Sequence, residues 1–153
     1  MDKALDIFCD GACSGNPGPA AIGVIMKENG QVVREISHSI GSATNNIAEY
    51  FAFVTALQEA LILKAARVCI HTDSELLYHQ IKGNYKVKNS IIKLFFELAR
   101  HLLAGFERVE VLHIPREKNA EADRLAKKAI KKEQAKVVAP KSLFGEESPS
   151  SQG

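Results

Sequence analysis

Three strand-like segments come first in this chain, before any segment with helical spacing. Residues 4–13 show the two-residue alternation of a β-strand that buries one face. Two further strand-like runs, at 20–28 and 31–40, meet at Asn29-Gly30, and this dipeptide is a strong hairpin signal. Strands joined by such tight turns pair antiparallel, so these segments predict an antiparallel meander.

Helices and strands alternate in the rest of the chain. Apolar residues at helical spacing predict four helices, and short apolar runs predict two more strands; the helices are expected at 46–65, 74–82, 89–104 and 119–134, and the strands at 67–71 and 108–114. Strands separated by helical crossovers pair in parallel. The sequence therefore predicts an α/β fold with a five-stranded mixed sheet, antiparallel in its first three strands and parallel in its last two, with helices on both faces.

The composition fits one globular domain, since 46% of the 153 residues are apolar and 25% are charged. No apolar run approaches the roughly 20 residues that span a membrane, so we expect a cytoplasmic protein, and a monomer. The cysteines, Cys9, Cys13 and Cys69, are odd in number and lack the paired spacing of a zinc site, which argues against both a disulfide framework and a zinc site. Residues 1–136 should form the domain, and residues 137–153, rich in Pro, Ser and Gly, a flexible tail.

Four acidic residues occupy positions where a carboxylate calls for an explanation: Asp10, Glu49, Asp73 and Asp123. Each has an ordinary one. Asp10 could simply open the turn that follows it, and Glu49 could close a capping box with Asn46. Asp73 could be the N-cap of the next helix, and Asp123 could be stabilised by the helix dipole. Taken singly, no acid distinguishes a structural role from a functional one.

The predicted fold brings these acids to one edge of the sheet. Ala52 and Phe53 follow Glu49 at helical spacing, so the Glu49 side chain shares the stripe that faces the core. Asp73 follows the C-terminal end of a parallel strand, where open α/β sheets bind ligands. Carboxylates packed together repel one another unless cations lie between them, and Mg²⁺ and Mn²⁺ prefer oxygen ligands. The pattern therefore predicts a divalent metal site.

Four motifs carry a resemblance to a known family: DGACSGNPGPAAIG at 10–23, TNNIAEYFA at 44–52, TDSELL at 72–77 and HIPREKNAEADRLA at 113–126. Through them the chain resembles type 1 ribonuclease H over nearly all of residues 4–133. Any one motif is weak evidence, whereas the four in this order are specific. The resemblance implies the ribonuclease H-like fold and makes residues 1–136 a catalytic domain.

The resemblance also implies an activity, hydrolysis of the RNA strand of RNA–DNA hybrids to 5′-phosphate and 3′-hydroxyl ends. The family's catalytic carboxylates fall on Asp10, Glu49, Asp73 and Asp123, which are the four acids selected above on physical grounds. They would hold two divalent ions, Mg²⁺ or Mn²⁺, with Asp10 bridging both; one ion activates a water and the other stabilises the leaving oxygen. Cleavage of double-stranded RNA is left open.

Substrate contacts follow from the same resemblance, and they fall on Cys13, Ser14, Gly15, Asn16, Thr44, Asn45 and Asn46. The ribose 2′-hydroxyl is the group that distinguishes RNA from DNA, and the backbone of residues 13–16 together with Glu49 would lie beside it. Asn16, Asn45 and Asn46 would contact the minor groove, and Thr44 a DNA phosphate. Helix capping is the alternative for the two neighbouring asparagines, and it accounts for only one of them.

The chain departs from the family in two places. Some members carry a basic protrusion with tryptophans, whereas this chain has the short KGNYKVKNS and no tryptophan, so Lys86 and Lys88 should substitute in part. Many members also have a histidine in the loop before the last helix. Here that loop is PREK, so we assign the assisting role to Arg116, with His113, expected to lie in the preceding strand, as the alternative.

Three other functions fit parts of this pattern. An inactive binding module of the same fold would usually have lost acids, and this chain retains all four. An integrase or a Holliday-junction resolvase shares the superfamily, but the glycine-rich loop followed by TNNxxE favours ribonuclease H. A structural protein whose acids are all helix caps would bind no metal, so a Mg²⁺ titration separates it from the nucleases.

Overall fold

A computed structural model describes residues 3–138, and its elements follow the predicted order. The strands are β1 (Ala4–Cys13), β2 (Gly18–Glu28), β3 (Gln31–Ala43), β4 (Arg67–Thr72) and β5 (Arg108–His113). The helices are α1 (Asn45–Ile62), α2 (Glu75–Ile81), α3 (Ser90–Leu103) and α4 (Ala120–Val138), and a short 3-10 helix, Arg116–Asn119, precedes α4.

The strands form one five-stranded sheet in the order β3-β2-β1-β4-β5. β1, β2 and β3 pair antiparallel, whereas β4 pairs in parallel with both β1 and β5. The hairpin between β2 and β3 turns at Asn29 and Gly30, whose φ angles of 53° and 80° suit the two-residue turn that this dipeptide favours. The predicted mixed sheet and its strand directions are therefore confirmed.

Helices cover both faces of the sheet. On one face, Ile7 of β1 and Val24 of β2 pack against Phe53 and Leu57 of α1, all fully buried. On the other face, Ala21 of β2 packs against α4. Gly23 lies beneath α4, and a Cβ at this position would overlap the carbonyl oxygen of Ala122. The missing side chain lets α4 lie directly on the antiparallel strands, and this brings the start of α4 close to β1.

Several boundaries differ from the prediction. β2 begins two residues earlier than expected and β3 extends to Ala43, because the two strands stay paired as far as Gly18 and Ala43. α1 ends at Ile62, three residues short of the expected end, and Lys64 beyond it has the left-handed φ of 63°. Such a turn in a lysine has no signal in the sequence.

At the C-terminal end, α4 reaches Val138, two residues past the boundary expected at 136. The predicted tail at 137–153 lies outside the described residues from 139 onwards, so the tail stays a prediction. Across residues 3–138, the structure contains no helix with both the length and the apolar character required to cross a membrane.

Candidate functional site

Three carboxylates from three elements converge at one edge of the sheet. Asp10 lies in β1, Glu49 in α1 and Asp73 directly after β4, and one oxygen of each lies within 4.8 Å of the others. β1 and β4 are neighbouring parallel strands, so the two aspartates leave the sheet at the same end. This is the edge at which the four acids were expected to meet.

Glu49 reaches the two aspartates because α1 lies very close to β1 at Gly11. A Cβ on Gly11 would overlap the carbonyl group of Ala48 and the amide nitrogen of Glu49, so only glycine permits this approach. The Gly11 N–H then donates a hydrogen bond of 3.0 Å to Oε1 of Glu49. This bond orients the carboxylate toward Asp10.

The ordinary explanations fail for Asp10 and Glu49. Asp10 opens no turn, since β1 continues through Cys13. The hydroxyl of Thr44 caps α1 by accepting from the Ile47 N–H, and Glu49 is buried against Gly11 rather than turned back to the cap.

Asp73 also differs from its ordinary explanation. Ser74 is the N-cap of α2, and its hydroxyl accepts from the Leu77 N–H at 3.2 Å. Asp73 is therefore not the N-cap of α2.

Asp123 stands at the border of the cluster. It lies in the first turn of α4, is partly exposed, and forms an ion pair of 3.1 Å with Lys127, so the dipole explanation still holds for it. Burial and the charges of Glu49 and Asp73 raise the pKa of Asp10, and Asp123 is close enough to raise it further. The structure thus brings three of the predicted acids into one group and places the fourth beside it.

The cluster is electrostatically strained in the absence of a cation. Burial raises the pKa of Asp10 well above its ordinary value, and the charges of Glu49, Asp73 and Asp123 raise it further. Burial and the charge of Asp73 likewise raise the pKa of Glu49, although the Gly11 N–H lowers it. The ligand atoms that these three side chains offer are all carboxylate oxygens, and hard divalent cations prefer such ligands. The donor set therefore fits Mg²⁺ or Mn²⁺.

Asn119 is a further site residue, and sequence reasoning gave it no role. Its side chain is 1% exposed and donates hydrogen bonds to the Cys9 carbonyl at 2.9 Å and to Oδ2 of Asp73 at 3.2 Å. Asn119 thus ties the start of α4 to β1 and to Asp73. A signal was present, because Asn119 precedes the buried Ala122 and Ala126 by three and seven residues, which is core-facing spacing.

The glycine-rich loop, which carries several of the predicted substrate contacts, lies against the N-terminus of α1. Oδ1 of Asn16 accepts from the backbone N–H of Asn45 at 2.9 Å, and the Cys13 thiol lies 4.0 Å from the side-chain oxygens of both asparagines. A cavity of about 420 Å³ opens beside this contact, lined in part by Asn16, Thr44 and Asn46. Ser14 and Gly15 are exposed at the tip of the loop.

The predicted basic residues lie outside the carboxylate cluster. Lys86 and Lys88 are exposed after α2, in a segment held by a hydrogen bond of 3.2 Å from the buried Gln80 side chain to the Lys86 carbonyl. Arg116 is exposed at the start of the 3-10 helix, and its charge offsets a part of the rise that burial causes in the pKa of Glu49. His113 ends β5 as expected, with its ring centroid 5.7 Å from that of Tyr78.

A family model described as "Reverse transcriptase-like" matches residues 8–129. A protein of Halobacterium salinarum named ribonuclease HI is 39% identical over 80% of this chain and 62% of its own length. A protein of Chlorobium chlorochromatii named ribonuclease H is 33% identical over 86% of this chain and 99% of its own length. A bifunctional protein of Mycobacterium tuberculosis is 36% identical over 96% of this chain, which spans only 42% of that relative.

Solved structures of proteins named RNase H1 are also similar to this chain. The crystal structure of RNase H1 from Halobacterium salinarum superposes with a TM-score of 0.82 at 36% identity, covering 84% of this chain and 98% of that one. The crystal structure of LC11-RNase H1 in complex with an RNA/DNA hybrid superposes with a TM-score of 0.81 at 39% identity, covering 85% of this chain and 99% of that one.

Proposed function

We propose that this chain, which belongs to the type 1 ribonuclease H family, is an endonuclease that hydrolyses the RNA strand of RNA–DNA hybrids. One observation carries the proposal: Asp10, Glu49 and Asp73 come from separate elements and bring oxygen atoms within 4.8 Å of one another. Unless a bound cation offsets the cost, burying such a group destabilises the fold. The neighbouring structure with a bound hybrid supports the choice of substrate.

Asp10, Glu49, Asp73 and Asp123 would hold two divalent ions, Mg²⁺ or Mn²⁺, when substrate is bound. Bound metal supplies a water of lowered pKa and stabilises the charge that develops on the leaving oxygen. The chain itself orients the ligands, since Gly11 aims Glu49 and Asn119 holds Asp73. Cleavage on the 3′-oxygen side would leave 5′-phosphate and 3′-hydroxyl ends.

RNA would be distinguished from DNA by neutral groups around the 2′-hydroxyl. The loop residues Cys13, Ser14, Gly15 and Asn16 and the carboxylate of Glu49 are the groups that we assign to it. The contact between Asn16 and the backbone of Asn45 supports this assignment, because it holds the loop beside α1.

Phosphate binding would use residues at the rim of the site. Thr44 uses its hydroxyl oxygen to cap α1, so the hydroxyl proton remains available to donate to a DNA phosphate. Asn45 and Asn46 stand beside it at the start of α1, where we assign them to the minor groove. Lys86 and Lys88 are exposed and would add salt-dependent contacts to the backbone of the hybrid.

An assay with matched duplexes tests the proposal. RNA–DNA, RNA–RNA and DNA–DNA duplexes of one sequence are incubated with Mg²⁺, with Mn²⁺ or with a chelator. We expect cleavage of the RNA strand of the hybrid with either metal and none with the chelator. Hybrid binding without cleavage in both metals would instead identify a non-catalytic binding module, and cutting of DNA–DNA would identify another nuclease of the superfamily. The RNA–RNA arm decides the open question of double-stranded RNA.

The Arg116 assignment has a kinetic signature. Arg116 lies seven residues before Asp123, in the short segment that leads into α4, so we expect Arg116→Ala to reduce kcat about 10-fold and to raise KM by less. Arg100→Ala is the matched control, because Arg100 is exposed on α3 and stacks on Phe96 away from the carboxylates. Steady-state kinetics at saturating hybrid check this. An unchanged kcat in Arg116→Ala together with a reduced kcat in His113→Ala would move the assisting role to His113.

Two further expectations stay predictions: a cytoplasmic location and a monomeric state. Sedimentation of the purified protein with and without hybrid would measure the second directly.

A further inference from the structure

A second convergence of metal-binding side chains lies away from the carboxylate cluster. Asp6 of β1 pairs with Cys69 of β4, and Cys69 pairs with Glu110 of β5, so the three form one row across the parallel strands. Paired residues of adjacent strands project from the same face of a sheet. Asp6 and Glu110 are exposed and Cys69 is half-buried, so the row is open to solvent.

His71 completes this group from the next position on the same face of β4. One ligand atom each from Asp6, Cys69 and His71 lies within 4.8 Å of the others. Nε2 of His71 is 4.0 Å from the Cys69 thiol, and Nδ1 is 3.6 Å from the Asp6 carboxylate. Burial raises the pKa of the Cys69 thiol, and the nearby carboxylates of Asp6 and Glu110 raise it further.

The His71 ring is already oriented as a ligand. Nδ1 lies 3.0 Å from the Ile7 carbonyl, to which it can only donate, and this leaves Nε2 as the nitrogen with a free lone pair. Phe8 stacks on the ring with centroids 4.1 Å apart and planes inclined by 7°. A backbone carbonyl on the far nitrogen is the arrangement that commonly supports metal-bound histidines.

We propose that Cys69, His71 and Asp6, with Glu110 as the fourth ligand, bind a divalent transition-metal ion of the zinc class at this solvent-exposed row of the sheet. This proposal does not depend on the nuclease function. A tetrahedral zinc ion with bonds of about 2.3 Å to sulfur and about 2.0 Å to nitrogen places those two atoms roughly 3.5 Å apart. The observed 4.0 Å therefore needs a closing movement of only about 0.5 Å, within the reach of side-chain rotation.

The ligands of this second site differ from those of the carboxylate cluster, and they favour a different class of cation. A thiolate and an imidazole suit Zn²⁺ and its transition-metal neighbours, whereas Mg²⁺ prefers oxygen ligands throughout. Arg67 and Arg108 lie one row away on the same face, but within residues 3–138 neither forms a salt bridge with Asp6 or Glu110. Within the same residues, the one ion-pair contact of either carboxylate is that of Asp6 with Nδ1 of His71, which is itself part of the proposed site. The sequence did not predict this site, because its ligands come from three strands and show no paired cysteine spacing.

Cobalt binding tests the proposal with a signal that the carboxylate cluster does not produce. The full chain is titrated with Co²⁺ in excess Mg²⁺, and the near-ultraviolet charge-transfer absorption of a cobalt–thiolate bond is followed. We expect this absorption to saturate at one ion per chain and to be displaced by Zn²⁺. Calorimetry with Zn²⁺ under the same conditions measures the affinity.

Four variants locate the site. Cys69→Ser should lose the absorption and bind Zn²⁺ at least roughly 100-fold more weakly, because losing a ligand costs more than losing an outer-shell partner. Cys13→Ser, which removes another partly exposed thiol, and Asp10→Asn, which alters the carboxylate cluster, should bind Zn²⁺ as the wild type does. Should Cys69→Ser fail to fold, Asp6→Asn combined with Glu110→Gln replaces it, since both side chains are exposed. Absence of the absorption in the wild type, its survival in Cys69→Ser, or unchanged affinity in the double variant would overturn the proposal.

Discussion

Asp10→Asn is expected to reduce the rate of hybrid cleavage by about 10³-fold or more, because it weakens the metal site and with it the stabilisation of the developing charge. The side chain lies inside β1 within 4.8 Å of Glu49 and Asp73, and the amide has nearly the same shape as the carboxylate. The fold should therefore survive. Single-turnover cleavage of a hybrid with Mg²⁺ measures the loss.

The same variant should be more stable than the wild type when metal is absent. Burial and neighbouring charges raise the pKa of Asp10, so the folded chain keeps a proton that the unfolded chain has released. Stability therefore falls as pH rises from the ordinary carboxyl range of about 4 through the raised pKa. Asparagine does not titrate, so the variant does not lose this part of its stability as the pH rises. Thermal unfolding in a chelator, from about pH 5 to about pH 9, should show the advantage of the variant growing with pH.

Glu97→Gln is the matched control, since Glu97 is exposed on α3 and its replacement makes the same change from a carboxyl group to an amide. It should leave both cleavage and the pH dependence of stability unchanged. Near-normal turnover of Asp10→Asn would contradict the assignment of Asp10 as a metal ligand. An unchanged pH dependence in the same variant would contradict the raised pKa.

Gly11→Ala should impair both folding and cleavage. An added Cβ would overlap backbone atoms of Ala48 and Glu49, which a side-chain rotation cannot relieve, so α1 must move away from β1. Overpacking of this kind costs about 3 kcal/mol, which in a domain of this size lowers the melting temperature by roughly 6–12 °C. The shift of α1 also breaks the hydrogen bond from Gly11 to Glu49. Thermal unfolding and hybrid cleavage on one preparation measure the two effects.

Gly105→Ala is the corresponding control. An added Cβ there would approach the side chain of Leu61 at 3.2 Å and the carbonyl oxygen of Leu102 at 3.3 Å, and the leucine can adjust. We expect a change in stability below about 1 kcal/mol and normal cleavage. Wild-type melting and turnover in Gly11→Ala would mean that α1 and β1 are not packed as closely as the structure has them.

Asn119 illustrates why part of the site escaped sequence reasoning. An asparagine just before a helix is an ordinary capping residue. Its spacing indicates that the side chain faces the core, but not which strand or which acid it contacts. Its partners, the Cys9 carbonyl and Asp73, lie 110 and 46 residues away along the chain. Only packing of α4 on the sheet makes those contacts, so the role of Asn119 follows from tertiary structure.

Local patterns were enough for the architecture. The alternation in β1, the Asn29-Gly30 turn and the helical spacing in α1 each extend over only a few residues. Such patterns can be recognised in the sequence because they depend on residues that are close together along the chain. Boundaries were less accurate, since pairing between β2 and β3 extended both strands beyond their apolar runs. The short 3-10 helix before α4 likewise had no local signal.

The amino-acid sequence sufficed to identify the acids and the sheet edge where they should meet, because strand direction places the ends of β1 and β4 together. The distances between the acids and the protonation of Asp10 could be determined only from the folded chain. Gly11 sets how near α1 comes, burial raises the pKa of Asp10, and the row from Asp6 through Cys69 to Glu110 exists only where three strands pair in register. Each of these depends on contacts between residues far apart in the chain, and such contacts form only when the core is packed.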